Sequence, residues 1–194
     1  MSIQEMIVSL FFIMNPIGII PMELSLLEGL DDKKRRKIIL RECLFALGFM
    51  LIFMFFGSKI LEALNVSMAA AQVAGGVIVF IIGLRMVIPP PKVVEREKVE
   101  PLIVPIATPL FAGPGLLSTI MLYSRHLENR TELLISIFAA WLISTVILLS
   151  SQYIGKVLGK SGVEAIERLF GLVLTIIAIN MIGIGYFTFS NIYK

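Results

Sequence analysis

Few residues in this chain can act as acids, bases or nucleophiles, and the most telling ones act through the backbone instead. Asn15-Pro16-Ile17-Gly18-Ile19-Ile20-Pro21 lies inside an uncharged run from Met6 to Met22. Pro109-Leu110-Phe111-Ala112-Gly113-Pro114-Gly115 lies inside a second, from Pro101 to Ser124. Proline removes a backbone donor and clashes with the preceding turn, and glycine lets the chain bend. In hydrocarbon, backbone groups freed in this way persist only where protein or a wet cavity satisfies them. Breaks at corresponding places in two halves of a chain point to a binding site near the bilayer midplane. A helix that restarts there presents unpaired N–H groups and the positive end of its dipole, which hold a carboxylate without a basic side chain. A helix that ends there presents carbonyls suited to an ammonium or a small cation. The chemistry expected is recognition of a zwitterion.

The restarts are expected near Pro21 and Leu116, and the ends near Met14 and Phe111. Candidate substrate contacts are Asn15, Gly18, Gly113, Gly115, Ser118, Thr119 and Asn180. Asn180 is placed deep in its span, where an amide must hydrogen-bond across helices or face a cavity. Arg85 and Glu23 are candidates for gating or substrate pairing, because an ionisable group within a span is a functional candidate by default. Both also have plainer readings. Arg85 is close enough to Pro89-Pro90-Pro91 to reach the headgroups, and Glu23 sits near the expected cytoplasmic surface beside Glu28, where water would solvate it.

These residues need spanning helices to position them. Of the 194 residues, 57% are hydrophobic and only 16% charged, with a mean hydropathy of +0.92. Soluble proteins carry about 25% charged residues. The pattern is that of an all-α integral membrane protein. Six apolar segments approach the roughly 20 residues a span requires: 3–27, 43–64, 66–88, 101–124, 132–154 and 168–190. Most Lys and Arg fall after spans one, three and five, led by Lys33-Lys34-Arg35-Arg36-Lys37 and Arg41. The positive-inside rule then places both termini outside the cytoplasm of a cell-membrane protein. The first apolar run lacks a basic n-region and a small-residue cleavage site, so it is read as a retained span.

Three spans per half require the second half to enter the membrane in the opposite sense. A shift of 95 residues lays Gly76 on Gly171, Ile81-Ile82 on Ile176-Ile177, Met86 on Met181 and Arg85 on Asn180. The reading is therefore two inverted three-helix repeats, residues 1–98 and 99–194, in one membrane domain, with spans one and four broken. Gly75-Gly76 and Gly171 are expected to permit close helix packing. The ten methionines and thirteen phenylalanines read as lipid contact and core.

Other classes fit poorly. The only aspartates, Asp31 and Asp32, lie in the basic loop, so an intramembrane aspartyl pair is excluded, and no metalloprotease or nucleophile–histidine pattern occurs at membrane depth. The expectation is not an enzyme. One cysteine, Cys43, excludes an internal disulfide, and one histidine, His126, excludes a multi-histidine metal or haem site. No cofactor and no nucleic-acid partner are expected. Coupling to Na+ through backbone carbonyls stays open, whereas the lack of a deep carboxylate argues against H+ coupling through Asp or Glu. Self-association is compatible with the sequence.

At these residues the chain resembles the MarC family of six-span membrane proteins, also described as a neutral amino acid transporter family. Asn15 to Pro21 is similar to the family's first-span motif. Pro105 through Thr119, with Ala112-Gly113-Pro114-Gly115 followed by Ser118-Thr119, is similar to its fourth-span motif. Ala74-Gly75-Gly76 and Glu167-Arg168-Leu169-Phe170-Gly171 also fit. The resemblance implies transport of small neutral amino acids such as glycine and alanine by alternating access. Export of another small metabolite or cation, or a non-transporting structural or regulatory role in the membrane, are the other readings.

Overall fold

The computed structural model describes residues 2–27, 29–88, 112–126 and 130–192. All of the regular structure among them is helical: α1 (Ile3–Met14), α2 (Pro16–Leu26), α3 (Asp32–Ala63), α4 (Met68–Val87), α5 (Pro114–His126), α6 (Arg130–Leu149) and α7 (Ser151–Ile192). Among the described residues five segments are long and apolar enough to cross a membrane: Ile3–Leu24, Asp32–Ala63, Met68–Val87, Arg130–Leu149 and Ser161–Asn191. The 13 residues of α5 are too few to span alone. Residues 101–111, expected as the first part of span four, lie outside the described residues, as do Pro89-Pro90-Pro91.

Local chemistry explains the helix starts. Ser2 and Glu5 form a reciprocal capping box at α1, and the Ser67 hydroxyl accepts from Ala70 N at 3.1 Å at α4. The second span begins earlier than its apolar run. Lys33 through Arg41, read from the sequence as a loop, form the opening turns of α3, and its 32 residues rise about 48 Å at 1.5 Å each. That exceeds the roughly 30 Å hydrocarbon thickness. The charged turns therefore continue the helix beyond the apolar layer. Span five ends at Leu149 rather than 154, and a new helix starts at Ser151. That helix is interrupted at Gly159, whose φ of 63° is left-handed.

The two helices with the most extensive mutual packing are α4 and α7, and small residues set their separation. A Cβ on Gly76 would stand 2.8 Å from Ile182 Cγ1 and 3.2 Å from Ala178 O; one on Gly83 would stand 2.9 Å from Gly171 O. On the other side, a Cβ on Gly171 would meet Gly83 O at 2.8 Å, and one on Gly185 would meet Ala69 O at 3.1 Å. The partners run in opposite order along the two helices, so α4 and α7 are antiparallel. They repeat every seventh residue, the spacing of a helix–helix seam. The 95-residue shift carries Gly76 to Gly171 and Gly83 to Ala178, exchanging the two central contacts with each other. The expectation that Gly76 and Gly171 permit close packing agrees with this seam.

Because backbone lines the seam, Gly83→Val should destabilise the protein by about 1–3 kcal/mol, the usual cost of overpacking. Gly183→Ala, on the same pair of helices but with open space where the methyl would go, should be neutral or slightly stabilising. Denaturant unfolding in detergent micelles measures both. Equal losses would show that the seam does not set the fold.

Candidate functional site at two interrupted helices

The first break is a single residue. Asn15 separates α1 from α2 at φ 51°, ψ 50°, a left-handed conformation that asparagine tolerates better than most residues. It closes both ends at once. Its N–H donates to the Phe11 and Phe12 carbonyls, and its side-chain Oδ1 accepts from Gly18 N at 3.2 Å. Pro16 follows as the first residue of α2, where the missing N–H costs nothing. The expected restart near Pro21 is therefore corrected to Pro16. Pro21 lies within a helix whose start is already set by the Asn15 cap.

At the second proline–glycine stretch the described residues show the start of a helix that, like α2, opens on a proline. Ala112 and Gly113 are non-helical, and α5 starts with Pro114, two residues before the expected Leu116. Ser118 and Thr119 are buried one turn in, and each hydroxyl donates to Gly115 O at 2.9 Å. Gly115 is needed for close approach. A Cβ there would collide with Val79 Cγ2 and lie 3.1 Å from Gly75 O, while a Cβ on Gly75 would collide with Ser118. Gly113 is half-buried at the edge of this contact.

Each break rests against a methionine of the central seam. Asn15, 7% exposed, donates from Nδ2 to Met86 Sδ at 3.1 Å. Thr119 Oγ1 lies 3.8 Å from Met181 Sδ. Gly18 belongs to the first set, since a Cβ on it would collide with the Asn15 amide and lie 2.7 Å from Met86 Cε. Met86 and Met181 are the residues that the 95-residue shift superposes. The breaks were expected side by side. They instead stand at different levels, because the rise along α4 from Gly75, beside Gly115, to Met86, beside Asn15, is about 16 Å.

Arg85 and Asn180, the neighbours of these methionines, are both exposed. The structure brings neither against the breaks. Methionine was read from the sequence as core or lipid contact, so Met86 and Met181 were missed. The signal was present in the alignment of the halves, where they match as Arg85 and Asn180 do not.

Glu23 differs most from expectation. It is 1% exposed rather than solvated. Arg35, in the first turns of α3, folds inward and donates from Nε at 2.9 Å and Nη2 at 2.7 Å to the same oxygen, Oε1. Arg35 Nη2 also donates to Ser151 Oγ at 3.2 Å, tying α2, α3 and α7 together. The Glu23 Oε2 atom is buried with no hydrogen-bond partner among the described residues. Arg35 was read as one of several topological charges, and the ion pair depends on the helical phase of α3, which a loop does not have.

These interrupted, lipid-compatible helices can be set beside known proteins. A family model described as "MarC family integral membrane protein" matches residues 1–189. The chain belongs to the MarC family. A UPF0056 membrane protein of Buchnera aphidicola subsp. Baizongia pistaciae is 40% identical over 188 residues, covering 93% of this chain and 94% of the relative. The UPF0056 inner membrane protein YhgN of Escherichia coli K12 is 41% identical over 178 residues, 90% of each chain. A Chlamydia pneumoniae MarC relative, also a UPF0056 membrane protein, is 33% identical over 177 residues, 89% of this chain and 88% of that one. No solved structure matches. The MarC assignment covers both breaks, the seam and the buried ion pair.

Within this MarC protein, Glu23→Gln or Arg35→Gln alone should cost about 3–5 kcal/mol by leaving one partner buried without its charge balance. The double variant Glu23→Gln/Arg35→Met should cost less than the sum of the two single changes. Unfolding midpoints in detergent for the four proteins give the coupling directly. Additive losses would mean that the pair is not a functional unit of packing.

Proposed function

We propose that the chain is a transporter of small neutral zwitterions, of the size of glycine or alanine, that works by alternating access between two inverted halves. The observation that carries this is the placement of the Asn15 break and the start of α5 at different levels of the α4–α7 seam, against two methionines, Met86 and Met181, that the 95-residue shift lays on each other. The exchange of the Gly76–Ala178 and Gly83–Gly171 contacts under the 95-residue shift supports the inverted relation of residues 1–98 and 99–194. On this reading the N–H groups in the first turns of α2 and α5 hold the substrate carboxylate in turn, one toward each membrane face. Ser118, Thr119 and Asn15 add contacts once their present internal hydrogen bonds open. Asn180 and Arg85 take part only if the cycle turns them inward.

The same reading puts both termini outside the cytoplasm and the start of α3 inside it. Maleimide labelling of intact cells should leave Lys34→Cys unmodified until the membrane is permeabilised. Labelling from outside would reverse the orientation.

Flux of radiolabelled glycine or alanine into proteoliposomes tests the activity itself. Wild-type protein should carry at least one of them, and Gly115→Ala should abolish flux by pushing α5 away from Val79. Gly115→Ala/Val79→Ala, which frees room for the new methyl, should restore a substantial part of it. Wild-type vesicles that move neither amino acid would favour a non-transporting membrane role.

A further inference from the structure

A cavity of about 610 Å³ opens at the end of the bundle remote from Glu23, where the C-terminal turns of α3, α5 and α7 surround the start of α4. It lies within the 300–1,000 Å³ range typical of small-molecule sites. Its walls carry one acid and one base, Glu62 from α3 and Arg125 from α5, together with Ser58 and Thr188. The ion pairs of the described residues are Glu23–Arg35 and Glu42–Arg41, so the two cavity charges are not paired with each other. The cavity also contains Gln72, which is 3% exposed although it lines this open space. Gln72 lies one helical turn before Gly75, the residue that meets Ser118 and Gly115 at the second break. The α4 wall of the cavity thus ends one helical turn short of the contact between α4 and the first turns of α5.

We infer that this cavity is a capture vestibule for a small zwitterion, with Arg125 receiving the carboxylate, Glu62 receiving the ammonium, and Gln72 passing the ligand toward the α5 break. The inference rests on the transport reading but concerns a different set of residues from the breaks. The specificity follows from charge. A ligand with only one sign of charge satisfies one wall and leaves the other uncompensated, whereas a zwitterion satisfies both. A phosphatidylethanolamine headgroup has the same pair of charges, so the source of the ligand has to be separated by experiment.

The test is protection of a thiol placed in the cavity. Ser58→Cys introduces one, while the native Cys43 is 2% exposed and out of reach of a charged maleimide. In full-length protein in phosphatidylcholine vesicles, glycine or alanine should slow labelling of Ser58→Cys, and equal concentrations of acetate or methylamine should not. Glu62→Gln or Arg125→Gln, added separately, should raise the protecting concentration of glycine by about tenfold or more. Protection that is absent, or that survives both changes, overturns the vestibule. Protection by phosphatidylethanolamine vesicles without amino acid also overturns it and assigns the cavity to lipid. Glycine flux is read on the same vesicles. Flux without protection removes the vestibule and keeps the transporter, whereas protection without flux removes the transporter and keeps the binding site.

Discussion

Where Gly83 meets Gly171 and Gly76 meets Ala178, α4 and α7 come so close that a main-chain oxygen of one occupies the place of a side chain on the other. Lipid tails are as apolar as leucine, so no hydrophobic force drives two helices together inside a bilayer. Close packing of small residues has to supply the attraction. The consequence is a two-helix spine that fixes the level of everything else. Met86 and Met181 stand at set heights on it, and the two breaks dock on those methionines. α5 in turn follows the spine through Gly75 and Gly115, and continues onto α3 through Ser124, which donates to Met54 O at 2.7 Å.

The first break answers the strictest rule of the bilayer, that no polar backbone group be left exposed to hydrocarbon. Asn15 meets it by closing one helix with its main chain and opening the next with its side chain. At the start of α5 the hydroxyls of Ser118 and Thr119 donate back to Gly115 O, so both side chains are held within their own helix. In both places the polar side chains of Asn15, Ser118 and Thr119 are already bonded within the protein. On the transport reading proposed above, a ligand competes with these bonds, so its binding and the opening of the break are a single event. Neutral hydrogen bonds are worth about 0.5–1.5 kcal/mol each, small enough for such an exchange.

Much of this was legible in the residues. The proline–glycine cluster at 15–21 marks the interruption of span one, Pro114 marks the start of α5, and the glycines of spans three and six identify the seam, because each acts through sterics that the sequence states directly. Three features were hidden. Asn15 takes over the restart from Pro21 because a side-chain cap sets the helix start, whereas a proline within the helix is tolerated. Met86 and Met181 look like any other apolar residue until their partners are known. Arg35 is indistinguishable from Lys33, Lys34, Arg36 and Lys37 until the helical phase of α3 selects it alone to turn inward, where it is buried while those four are exposed.

Arg35 also links the order of synthesis to the finished fold. Its carboxylate partner precedes it by only 12 residues, whereas Ser151 is made much later. The segment from α2 to the first turns of α3 contains both members of the ion pair, so a nascent chain can neutralise this charge before its second half exists. The positive-inside bias is read while the chain is being inserted. Arg35 contributes to that bias and is then withdrawn from the surface by the fold. A charge available to the insertion machinery is thus one that the folded protein no longer presents.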